Sequence, residues 1–86
     1  MTTVPTIHLN GTGFTTLRDE YAAAYDAIDK AIDALAAATC NGRDFYTQAP
    51  GAYHQARDER QAALDKLREA HQYVGEVLAG ICDQWR

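Results

Sequence analysis

From Leu17 onward, apolar side chains recur at spacings of four and three: Leu17, Tyr21, Ala24, Ile28, Ala31 and Leu35. That spacing keeps them on one face of an α-helix. Thr16 is placed to cap the helix and Asp19, three residues on, sets negative charge against its positive end. The pattern stops before Asn41-Gly42, two residues that accept the left-handed backbone at which helices end. A first helix is therefore predicted over 17–39, roughly 35 Å long at the helical rise. After Pro50-Gly51 a second pattern begins. Arg60, Leu64, Leu67, His71, Val74, Leu78, Ile81 and Trp85 alternate four and three without a break, and Tyr53 and Ala56 extend the seam backwards. The predicted second helix spans 52–84, roughly 50 Å, with Gly75 and Gly80 each costing about 1 kcal/mol of helix propensity.

A connection over 41–51 forces the two helices antiparallel. The shorter helix then covers the longer from about 52 to 75. Val77, Leu78, Ile81 and Trp85 are expected to project without a partner inside the hairpin. Self-association follows as an expectation, with the projecting end packed on another subunit or on the N-terminal segment. That segment, residues 1–15, is broken by Pro5, Gly11 and Gly13 and reads as an extended leader ending in a turn. The fold expected is an all-α antiparallel hairpin of a short and a long helix with an extended leader, one domain over 1–86, oligomeric.

Composition narrows the function classes. Eighty-six residues carry a formal charge of -4, a poor basis for gripping a nucleic-acid polymer, which requires an excess of cationic side chains. No run approaches the roughly 18 apolar residues of a membrane span, and no charged and apolar leader pattern opens the chain. Two cysteines, Cys40 and Cys82, fall at opposite ends of the hairpin and beyond disulfide reach. A cytoplasmic protein without membrane association is expected.

Chemistry concentrates in "CNGRDFYTQAPGAYHQARDER", residues 40–60. Arg43, Arg57 and Arg60 stand here among the chain's eight Lys and Arg residues, and Arg57 and Arg60 share a helix face. Guanidinium groups hold phosphate with two parallel bonds, and tyrosine rings stack on bases. The free N–H groups opening the second helix favour anions in the same space. Arg43, Arg57 and Arg60 are thus candidate phosphate ligands, Tyr46 and Tyr53 candidate stacking platforms. Asp44 and Gln48 can select among bases or ribose hydroxyls. The competing reading pairs Arg57 and Arg60 with Asp58, Glu59 or an acid of the first helix, with Tyr46 and Tyr53 capping the core.

Other features carry less. "HLNGTG" has the glycines of an anion-cradling turn but lacks the Lys and spacing of a Walker loop. Asn10 and Thr12 within it could reach Arg43 only across subunits, because they lie at the far end of the hairpin. Asp26, Asp29 and Asp33 read as a solvated face, since a metal site needs ligands converging from a second element. His71 falls on the helical seam, where a packed histidine is expected. Neither cysteine has an adjacent His to activate it. No nucleophile elbow, acid–base carboxylate pair or cofactor motif is present, so no enzymatic activity, metal or cofactor is expected.

"TIHLNGT" and "NGRDFYTQAPGAY" resemble segments of a group of short phage- and prophage-encoded proteins. These open with Ile-His-Leu-Asn-Gly-Thr and carry Asn-Gly-Arg-Asp-[Phe/Tyr]-Tyr between two helices, with a Gln and a Pro shortly after. The matching residues are Ile7 to Thr12, Asn41 to Tyr46, Gln48 and Pro50; Cys40 and Thr47 stand where Pro is common in that pattern. The resemblance implies a viral accessory protein, of a kind that includes sponges for the nucleotide signals of bacterial immunity. Together these readings lead to a homo-oligomer that binds and sequesters a small phosphorylated ligand, a nucleotide second messenger, without turning it over. The alternative is a protein-interaction module that docks the exposed end of the second helix on a host or viral partner.

Overall fold

The computed structural model describes residues 2–84. They form an all-helical hairpin: α1 over Phe14–Ala37, a short 3-10 turn over Gly42–Asp44, and α2 over Ala52–Asp83. The two helices pack against each other along an elongated body of 61 × 22 × 18 Å. Among the described residues there is no strand.

Helix α1 starts three residues earlier than the spacing predicted. Gly13, not Thr16, is its capping residue, and no side chain caps it; Phe14, half-buried, joins the apolar face instead. Along that face Ile32 rather than Ala31 turns partly inward. The far end differs too. α1 stops at Ala37, where Ala38 turns to extended backbone, and neither Asn41 nor Gly42 takes a positive φ. Asn41 serves another purpose, its side chain accepting a bond from the Arg43 N–H at 2.9 Å to open the 3-10 turn.

Helix α2 runs unbroken through Gly75 and Gly80. Both glycines are sites of close approach. A Cβ at Gly75 would stand 2.9 Å from the Tyr25 ring, and one at Gly80 would stand 2.7 Å from both methyls of Val4. Propensity surrendered in the helix is therefore returned as packing of α1 and of the leader against it.

The register between the helices corrects the expected geometry. Arg60 meets Leu35 and His71 stacks on Tyr25. Carried on at equal rise along antiparallel helices, this register puts Leu17 level with Leu78 and Phe14 level with Ile81. It is the first two turns of α2, residues 52–59, that outrun α1, at the end opposite to the one expected. The cause is the connection. It occupies 38–51, long enough to climb past the end of α1 before α2 begins.

The end of α2 consequently forms the core and does not project from it. Val77 and Ile81 are wholly buried, and Leu64 and Val74 nearly so. The leader closes over this end. Val4 covers Gly80, Gln84 donates to the Pro5 carbonyl at 2.8 Å and accepts from the Ile7 N–H at 2.8 Å, and the Thr2 hydroxyl bonds to the Glu76 carboxylate. Of the residues expected to lack a partner, Val77 and Ile81 have one within the chain and Leu78 is half-buried; Trp85 lies outside the described residues.

Candidate functional site

The extra turns of α2 give the connecting loop a surface to pack on. Gly51, in the left-handed conformation at φ 88°, reverses the chain into the helix, a backbone that costs glycine little. Gly42 lies under the Tyr53 ring, 3.7 Å from where its own Cβ would be. Phe45 tilts against Tyr53 with ring centroids 6.2 Å apart, and His54 packs at 5.5 Å from the same ring. The loop bonds to itself as well: Asp44 N–H to Asn41, Phe45 N–H to Gly42 and Gln48 N–H to Phe45, each near 3.0 Å.

Between loop and helix lies an open depression of about 330 Å³. Tyr46, Gln48 and Tyr53, all expected in a site, contribute to its wall, together with Phe45, Pro50 and His54. Tyr46 is 79% exposed, a large ring without a packing partner large enough to cover it. His54 and Phe45 are site residues that the sequence reading did not assign. His54 had a usable signal, since it follows Tyr53 in the first turn of a helix whose free N–H groups face the same way.

The three arginines part company here. Arg57 is exposed, with its guanidinium carbon 6.0 Å from the Tyr53 ring centre and its Nε 3.8 Å from Asp58. That distant, solvated ion pair holds it only weakly. Arg43 sits on the exposed 3-10 turn beside Asp44, and no ion pair to it forms among the described residues. Arg60 is committed elsewhere. Its Nη2 donates to the carbonyls of Leu35 at 3.1 Å, Ala36 at 2.6 Å and Ala38 at 3.3 Å. It therefore caps α1 and is withdrawn from the phosphate-binding set. Its partners are backbone carbonyls, not the carboxylates of the competing reading.

Asn10 and Thr12 precede α1 and are exposed. The length of α1, about 36 Å, separates them from the depression, so one chain does not bring them together. The Tyr25–His71 stack, with centroids 3.9 Å apart, buries the His71 Nε2, in keeping with a packed seam histidine. Among the described residues no cluster of His, Cys, Asp or Glu is arranged to hold a metal, and no helix is long and apolar enough to cross a membrane. Cys40 is half-buried near the loop and Cys82 exposed at the other end. No family model matches the chain, and neither the curated proteins nor the solved structures contain a match to it.

Proposed function

We propose that the protein binds a small phosphorylated ligand, a nucleotide second messenger, in the depression at the loop end of the hairpin and sequesters it unchanged. The observation that carries this reading is the meeting of Tyr46, Gln48, Tyr53 and His54 around one concave surface, with Arg57 beside the Tyr53 ring and Arg43 on the adjoining turn. Arg43 and Arg57 hold phosphate, Tyr46 and Tyr53 stack on a base, and Gln48 with Asp44 selects its edge or a ribose hydroxyl. The N terminus of α2 adds its dipole to the same field.

A volume of about 330 Å³ is at the small end for ligand pockets and suits one nucleotide unit. The rest of the ligand is held by a second copy of the chain, whose Asn10 and Thr12 complete the site. The resemblance to phage-encoded proteins supports the biological setting, in which withdrawing the messenger counteracts host defence. The rival reading, a partner docked on the end of α2, loses its motivation because Val77 and Ile81 are covered by the chain itself. Isothermal calorimetry against cyclic dinucleotides and cyclic ADP-ribose derivatives is the test. Binding heat with at least one, and the same molecule recovered intact after incubation, is the expected result. No heat from any of them far above micromolar concentration removes the proposal.

A further inference from the structure

Arg60 stands among the loop's arginines in sequence but works on the end of α1. The last carbonyls of any helix lack partners within it. In α1 Ala38 is extended and no left-handed residue folds the chain back over those carbonyls. The Ala38 N–H satisfies Leu35 at 3.2 Å. The remaining demand falls on Arg60, whose single Nη2 is shared among Leu35, Ala36 and Ala38 while its Nε is buried without a partner among the described residues.

We infer that Arg60 is a positioning residue: it stops α1, fixes the exit of the chain, and so sets where the loop 38–51 lies against α2. A second effect follows from charge. The C terminus of α1 and the N terminus of α2 lie at the same end of the molecule, with helix-end charges of opposite sign, about half a unit each. Unscreened, the carbonyl end of α1 opposes anion binding beside it. The Arg60 guanidinium neutralises that end and leaves Arg43, Arg57 and the α2 terminus to attract the anion. This consequence for binding rests on the ligand reading proposed above; the fixing of the loop does not.

Hydrogen exchange of the ligand-free protein separates the two. In Arg60→Met, which keeps the aliphatic stem, the amides of Ala38, Arg43, Asp44, Phe45 and Gln48 are expected to exchange about tenfold faster, the factor one charged hydrogen bond is worth. The amides of Leu64 to Ile81 keep their protection. Arg60→Lys restores most of it, since an ammonium reaches the same carbonyls as a point charge. If the Met variant loses its helical circular dichroism, the Lys variant carries the test alone, with a few-fold acceleration confined to 38–48 expected. Loop exchange equal to wild type in the folded variants, or acceleration spread evenly over α2, overturns the positioning role. A wild-type protein that binds no nucleotide overturns the ligand reading and leaves the exchange result standing.

Discussion

Single residues decide what the loop end can do. Three arginines close in sequence have three different environments, and only two of them are available to a ligand. Arg43 and Arg57 are exposed and weakly held, so on the ligand reading proposed above replacing either by Ala removes a charged hydrogen bond to phosphate worth about 1.5–3 kcal/mol. Affinity for the nucleotide identified by calorimetry is expected to fall about ten- to a hundredfold in each variant, with the thermal midpoint of the free protein unchanged. Loss of affinity no greater than threefold in both would separate these arginines from the site. Gly80 shows the same economy at a packing contact. Alanine there gains about 1 kcal/mol of helix propensity but drives its methyl into Val4, a clash of the kind that costs about 1–3 kcal/mol. The difference centres on about 1 kcal/mol, so Gly80→Ala should lower the midpoint by about 4–8 °C and expose the Ile7 amide to exchange; Ile7 exchange identical in the two proteins would mean that the leader is not seated on α2.

At the scale of elements, the leader is the third layer that two helices alone lack. It packs Val4 on Gly80, beside the buried Val77 and Ile81, and is tied down at Thr2, Pro5 and Ile7. The Thr2 hydroxyl, and after it the Gln72 amide, hold the Glu76 carboxyl below the usual glutamate range. A carboxyl whose folded value is depressed favours folding above its ordinary range, and that contribution disappears as pH falls through the depressed value. Docking of the leader should therefore weaken on acidification past the ordinary glutamate range. Exchange at the Ile7 amide, corrected for its intrinsic pH dependence, reads this directly. Glu76→Gln should abolish the dependence; an identical pH profile in that variant would discount the contact. Elsewhere surface ion pairs such as Lys30–Asp26 at 3.0 Å contribute little.

Taken whole, the chain is too exposed for its size. Its surface of 6365 Å² exceeds by about 1,300 Å² the roughly 5,000 Å² of a globular monomer of this mass. Stable interfaces hide about 800 Å² per partner, so the surplus matches what one or two contacts with further copies would cover. Leu9, fully exposed, and Tyr73, half-exposed, are apolar groups suited to such burial. Self-association remains a proposal, and its first motivation, a bare end of α2, is gone. Sedimentation equilibrium should return a multiple of the 9.5 kDa chain mass. A single-chain mass at micromolar concentration would leave Asn10 and Thr12 without a route to the depression.

Much of the hairpin was legible along the chain. The alternation of apolar spacings specified two helices, their unequal lengths and the 52–83 extent of α2 to within a residue, because helical periodicity is a local property that neighbouring residues impose on each other. The gathering of Tyr46, Gln48 and Tyr53 was legible for a similar reason, since a short loop and the helix turn after it cannot separate far. Register was not. Which end of α2 lies uncovered depends on where α1 stops and on the length of the connection after it; the stop does not fall at Asn41-Gly42 but at Ala37, where Arg60, 22–25 residues away in sequence, bonds to the last carbonyls. The seating of the leader on the end of α2 likewise rests on the matching of Val4 to Gly80, 76 residues apart in the chain. Local chemistry writes helices into a sequence; the pairing of distant surfaces, chosen by shape and unmet hydrogen bonds, is decided only once those helices meet.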